Sequence, residues 1–434
     1  MKEPQPADLV LIKGGTVLDP VRKRAEQLDV IIEKGRIAKL GKAAKEGFPG
    51  EVVDASGCFV TPGLLDLHVH LREPGQEEKE TIATGCRAAM AGGFTAVCSM
   101  PNTDPPVDSR SVVEYIRERA QSQLVTVYPI AAITKGRQGE EISEMADLVE
   151  AGAVAFSDDG SAVKNTAVLR RALEYSSMFD VPIIEHCEDP YLDEGGVMNE
   201  GFVATELGLP GMPRIAEEII VQRDLSVLGY VGGRLHIAHV STKGSVELIR
   251  RAKEKGLAVT AEVTPHHLSL TDEEMRRFDA NFKMNPPLRT AEDVEALIEG
   301  LRDGTIDAIA SDHAPHCVHE KDELELEFAP FGVIGLETTL GVVLRVLVQE
   351  RGFPIEEVIE KMTYGPARII RKAETLEIRE GAMANLTVFA LGESWQVDPN
   401  RFYSKGRNTP FRDWQLPGKV RAVFNNGLWW RQQR

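Results

Sequence analysis

The 434-residue sequence has few cysteines, few aromatics and no long apolar run. Its five cysteines, Cys58, Cys86, Cys98, Cys187 and Cys317, are odd in number and widely spaced, which excludes a disulfide framework and points to a reducing, cytoplasmic setting. No stretch approaches the roughly 20 apolar residues a membrane span needs, and Met1-Lys-Glu-Pro-Gln-Pro6 has no apolar leader core. Positive charge is also scarce, with 50 Lys and Arg against 67 Asp and Glu and a net charge of -17. That balance argues against nucleic acid or an anionic membrane as partner. It leaves room for an anionic small substrate, because one arginine in a cleft outweighs distant screened charge. The sequence also lacks a Gly-rich dinucleotide fingerprint after its first apolar run, which weakens an open doubly wound sheet. Histidine is absent before residue 68 and after residue 319.

Between those limits lie all ten histidines, two of them in Asp66-Leu-His68-Val-His70. Side chains at i and i+2 of a strand share a face, so His68 and His70 can turn to one metal ion. Apolar runs recur at 64–69, 95–100, 125–132, 153–157, 181–185, 234–240, 258–263 and 306–311. Amphipathic stretches separate them, among them Ser111 to Ala120, Thr166 to Phe179 and Ala291 to Leu301. Eight strands alternating with helices predict a (β/α)8 TIM-type barrel over 62–374. Strand-like runs at both ends, 8–60 and beyond Ala384, predict one small β-sandwich domain assembled from 1–61 and 375–434.

In such a barrel the site lies at the C-terminal strand ends. There the sequence offers His68 and His70, Asn102, Asp158-Asp159, Glu185-His186-Cys187, His236 and His239, His266-His267 and Asp312-His313. That nearly every run delivers an acid, base or metal-competent residue at one end predicts a metal-dependent enzyme. Strand alternation allows only one of His236 and His239 to point inward, and position favours His239. Likewise one of Asp158 and Asp159 faces the site, while the other bonds loop amides. His266-His267 either join the site or pack beside it.

Gly63-Leu-Leu-Asp66-Leu-His68-Val-His70-Leu-Arg72-Glu-Pro-Gly resembles the opening motif of the cyclic amidohydrolases. Met100-Pro-Asn102-Thr, Lys283-Met-Asn285-Pro-Pro, Ser311-Asp312-His313-Ala-Pro-His316, Asn408-Thr-Pro-Phe411 and Gly418-Lys-Val420 resemble one branch, the class I dihydroorotases. The fourth run, Ala153-Val-Ala-Phe-Ser-Asp158-Asp159-Gly, lacks the lysine that hydantoinases carbamylate to bridge two metals, and Lys164 falls on the following loop. The resemblance implies an aspartate bridge there, and matching the family's spacing back from His186 implies that it is Asp159 rather than Asp158. It implies two Zn²⁺ held by His68, His70, His186, His239 and Asp312, bridged by Asp159 and a hydroxide. It implies Asp312 as catalytic acid and base, and Arg72, Asn102, Asn285, His316 and the backbone at Phe331-Gly332 as substrate-binding groups. The implied reaction is the reversible cyclisation of N-carbamoyl-L-aspartate to L-dihydroorotate in pyrimidine biosynthesis, by a homo-oligomer associating with aspartate transcarbamoylase. Competing readings are a hydantoinase or allantoinase, or an inactive amidohydrolase-like scaffold. Asn385, where relatives often have Asp, bears on packing in the terminal domain. The charged segment Cys317 to Phe328 is either a lid or a solvated excursion, and Cys187 is either a plain strand-end residue or an alternative zinc ligand.

Overall fold

A run such as Leu64-Leu-Asp-Leu-His-Val69, apolar at four of its six positions, fits a strand covered on both faces, and all six residues are buried. The computed structural model describes residues 3–22, 24–42 and 47–432. Met1 and Lys2, where the leader-free reading begins, lie outside them. Each of the eight internal runs forms a parallel strand: β1 (Leu64–Val69), β2 (Phe94–Ser99), β3 (Thr126–Ala131), β4 (Ala155–Ser157), β5 (Ile183–Glu185), β6 (Leu235–Ile237), β7 (Val259–Val263) and β8 (Ala308–Ile309). They pair in sequence order, β1 through β8. The ends meet where Val69 bridges His313 in parallel and the His70 amide donates to the His313 carbonyl at 2.9 Å. Asp66 adds to that closure: its carboxylate accepts the amides of His68, on its own strand, and of Ser311, just beyond β8. The sheet is thus a nearly closed barrel, and the open-sheet alternative falls.

Helices Arg110–Ala120, Thr166–Ser176 and Ala291–Arg302 pack outside it, close to where the apolar periodicity places them. Their buried stripes, for example Val112, Val113, Ile116 and Ala120, join the main core with the outward faces of the strands. Each aliphatic side chain so covered contributes about 1.5–3 kcal/mol. Inside the barrel the apolar residues are often small (Ala96, Ala155, Ala238, Ala308, Ala310), which leaves room for the polar groups that follow.

The two chain ends share one curled, nine-stranded sheet. Leu386–Ala390 is its hinge, pairing antiparallel with Phe59–Pro62 on one side and Lys419–Asn425 on the other. One residue, Gly63, separates that sheet from β1. A Cβ on Gly63 would lie 2.0 Å from Asn385 Oδ1 and from Thr95 Oγ1. Asn385 therefore packs directly on the start of the strand that carries the histidine pair. Among the described residues no helix is long and apolar enough to cross a membrane.

Candidate metal centre

His68 is the last inward residue of β1, and His70 follows beyond its end on the same face. Asp159 leaves β4, His186 leaves β5 and His239 lies two residues past β6. Ligand atoms of His68, His70 and Asp159 lie within 4.8 Å of one another, as do those of Asp159, His186 and His239, so Asp159 is common to two buried triads. Asp312 enters from β8, with Oδ1 3.2 Å from His70 Nε2 and 3.6 Å from His68 Nε2.

Three of the four histidines have their remote nitrogen held by an acceptor. His68 Nδ1 donates to Glu262 at 2.9 Å, His70 Nδ1 to Asn102 Oδ1 at 2.8 Å and His186 Nε2 to Glu188 at 2.7 Å. Each remaining nitrogen faces the centre with its lone pair, the arrangement a metal-binding imidazole requires. His68 Nε2 and Asp159 Oδ1 lie 3.2 Å apart, yet neither finds a hydrogen-bond partner, although both are buried. Unpaired buried polar atoms are costly, and a cation between them would satisfy both. The electrostatics agree. Burial pushes Asp159 up, but His68, His239 and His70 outweigh it and hold the carboxyl well below its usual range. Burial opposes charge on His68, and Asp159, Glu262 and Asp312 reverse that, raising it well above the ordinary histidine value. A field that favours a proton there favours a metal cation equally. The donor set, imidazole with carboxylate, fits a metal ion.

The backbone here is unusual. Arg72, His239 and Asp312 hold φ of +59°, +29° and +45°, a region that costs a non-glycine residue about 1–3 kcal/mol and clusters at functional sites. It also corrects the alternation argument. Because the strand ends at Ile237 and the chain turns at His239, both His236 and His239 point inward, His236 one level deeper against Glu262. Asp158 accepts from the amide and hydroxyl of Thr134, a loop-bonding role. Lys164 is exposed, its Nζ lying over the Tyr191 ring. Cys187 turns its thiol to Asp224 Oδ2 at 3.6 Å and is no member of either triad; burial pushes its pKa well up.

Beside the triads, Arg72 is 9% exposed; Nε donates to Pro315 O at 3.3 Å, and Nη2 lies 3.4 Å from His316 Nε2. His316 Nε2 carries its hydrogen, since it donates to the Phe331 carbonyl at 2.8 Å, and Nδ1 is buried without a partner. Burial and then Arg72 push His316 down to about 2, so the ring is neutral. Gly332 gives its amide to Lys283 O. Asn285 Nδ2 donates to Glu188, 2.9 Å away. Asn102 is fully engaged by the triads, accepting from His70 and donating to Asp159 Oδ2 at 3.3 Å. In the segment after His316, Lys321 is only 4% exposed and its ammonium donates to the carbonyls of Ala280, Lys283 and Pro330. Lys321 pins the middle of a segment that is otherwise largely exposed, with Asp322 to Glu325, Glu327 and Phe328 turned to solvent.

A family model described as dihydro-orotase-like matches residues 57–245. A dihydroorotase from Pelotomaculum thermopropionicum is 53% identical over 419 residues, 96% of this chain and 97% of its own. One from Syntrophus aciditrophicus is 49% identical, covering 96% and 98%. The chain belongs to the dihydroorotase family. Among solved structures, an L-hydantoinase (dihydropyrimidinase) from Arthrobacter aurescens superposes with a TM-score of 0.84 at 24% identity, over 96% of this chain and 94% of that one, which establishes the shared barrel fold. As a dihydroorotase-family member the chain is a hydrolase of cyclic amides.

Two residues at this dihydroorotase-type site, Glu262 and Glu188, escape a reading of linear motifs, and a third, Asn408, falls in a quoted motif that does not disclose what it holds. Glu262 and Glu188 hold His68 and His186, and their signal is a lone acid in an otherwise apolar buried strand or directly after a ligand-like histidine. Asn408 ties the strand ends together, accepting from the His316 amide and donating to the carbonyls of Ala314 and Gly332.

His267 stays outside the triads: Nε2 donates to Pro286 O at 3.0 Å and Nδ1 accepts from Thr264 Oγ1. Burial, then His239, lower its pKa from 6.5 to about 3. Between those values the unfolded chain binds a proton the folded chain refuses, so stability falls as pH drops below about 6.5 and levels off near 3. Chemical unfolding across that window should show a shallower loss for His267→Gln, by up to ~1.4 kcal/mol per pH unit.

Proposed function

We propose that the chain interconverts N-carbamoyl-L-aspartate and L-dihydroorotate, using two Zn²⁺ ions that share Asp159. One ion takes His68 and His70, the other His186 and His239, and Asp312 stands beside the first. The observation that supports this most is the pair of buried triads joined at one carboxylate. When bound, the ions supply a polarised carbonyl and a water acidic enough to ionise near neutral pH.

The rest falls to the side chains. Burial raises the Asp312 carboxyl, but His70 and His68 pull it below its usual range, so it begins as the base. In ring opening Asp312 takes a proton from the attacking water. The C–N bond breaks, and Asp312 returns that proton to the departing amide nitrogen. Cyclisation runs the same steps backwards. Arg72 binds the substrate carboxylate with its guanidinium fork, beside neutral His316. Asn285 and the Phe331-Gly332 backbone border the ring, and Asn102, which braces His70 and Asp159, completes the substrate-binding set.

The test is metal analysis together with hydrolysis assays. About two zinc ions per chain, and turnover of dihydroorotate but not hydantoin, are expected; turnover of hydantoin alone overturns the reading. The free cysteines, four of them buried, suit the cytoplasm. Self-association and binding to aspartate transcarbamoylase complete the proposal and are read by light scattering of the chain alone and mixed with that enzyme.

A further inference from the structure

Glu262 lies on β7, in the barrel interior beneath the metal centre, and is 1% exposed. Its Oε1 accepts from His68 Nδ1 at 2.9 Å. Its Oε2 lies 3.2 Å from His236 Nε2, at ion-pair distance but without hydrogen-bond alignment, and both atoms are buried with no other polar partner. His236, from β6, is fully buried, and its Nδ1 lies 2.9 Å from Thr260 Oγ1, on the residue paired with it across the sheet. Proton positions along this chain follow from the chemistry. A carboxylate only accepts, so both facing imidazole nitrogens carry hydrogen, and Thr260 donates to His236 Nδ1. Such a line of groups has no role in covering apolar surface, and a Glu–His pair is an expensive way to fill a barrel interior.

We infer that Glu262, backed by His236, is a positioning residue that locks His68 in the tautomer offering Nε2 to the metal and thereby sets the affinity of the His68–His70–Asp159 half of the centre. This rests on the two-metal reading above. Glutamine at 262 can accept from only one of the two histidines and turns an N–H₂ toward the other. Even with its oxygen on His68, a neutral amide is a weaker acceptor than a carboxylate, so the bond that orients the His68 ring and raises the basicity of Nε2 is weakened. Because the second half-site rests on Glu188 rather than Glu262, the damage is confined to one ion.

The experiment titrates the metal-stripped full chain with Zn²⁺ against a chromophoric chelator, repeats it with Co²⁺ to read the ligand field, and records kcat and KM separately. Glu262→Gln is expected to weaken one of two ions by about 10–100-fold, to leave the other unchanged and to lower kcat with KM held. Glu262→Asp recovers part of the loss. His236→Asn gives a smaller loss at the same ion, and the double variant is no worse than Glu262→Gln alone, since His236 acts through Glu262. If Glu262→Gln does not fold when metal-free, as read by urea unfolding, His236→Asn decides: a loss at one ion supports the inference and none overturns it. A folded Glu262→Gln that binds both ions as the unaltered chain does overturns it. Failure of the unaltered chain to take up Zn²⁺ rejects the two-metal reading itself, a separate result.

Discussion

Exchanging Asp312 for asparagine lowers kcat by about 10²–10⁴-fold, the range expected when a positioned proton carrier is removed, with KM changed only a few-fold. Asparagine keeps the size and one acceptor oxygen of the side chain. It also tolerates the +45° φ at this position better than other replacements, so the strand end keeps its shape. What it loses is the ability to take a proton. Its amide oxygen stands where Oδ1 does, 3.2 Å from His70 Nε2, and still offers a lone pair to a cation held there. Metal content therefore stays close to that of the unaltered chain, which separates this variant from Asp159→Asn. Asp159 serves both triads, and its loss should remove bound metal. Steady-state kinetics with metal analysis on the same samples reads both effects. A kcat within tenfold of the unaltered chain, with metal retained, would take the proton from Asp312 and require another carrier.

Legibility in the sequence follows the range of the interaction concerned. The barrel strands were readable because a strand covered on both faces must be largely apolar, and Leu64–Val69 and Val259–Val263 are so apart from Asp66, His68, Thr260 and Glu262. The His68-x-His70 pair was readable because alternation within one strand fixes its geometry. His236 and His239 show where that rule ends, since it fails once the chain leaves the strand, as it does after Ile237. Glu262 lay inside a run read as a plain buried strand. Its meaning depends on His68, 194 residues away, and His236, contacts that no local pattern encodes. Asn408 belongs to a recognisable motif, yet its work at Ala314, His316 and Gly332 appears only when the chain ends fold back over the barrel.

Replacing Arg72 with methionine should raise KM for dihydroorotate by about 30- to 5000-fold, the equivalent of the 2–5 kcal/mol lost when one partner of a buried charge pair is truncated. Methionine matches the length of the stem and leaves the cavity filled, so the loss reports the guanidinium itself. The fork is poised for a ligand: Nε is taken by Pro315 O, while Nη2 faces only the protonated nitrogen of His316. A buried guanidinium whose Nη2 has no acceptor, since the His316 hydrogen goes to the Phe331 carbonyl, suits an anion. Lysine at 72 keeps the charge without the bidentate geometry and should fall between the two. Neither change touches the triads, so zinc content and the Co²⁺ spectrum stay as they were. A second readout is independent of turnover. Burial comes first in holding His316 near 2, but Arg72 is the leading charge against it. Without that cation the His316 ring should titrate at higher pH, visible in its imidazole NMR signals. An unchanged KM would detach Arg72 from the substrate, and an unchanged His316 titration would show that burial alone keeps the ring neutral.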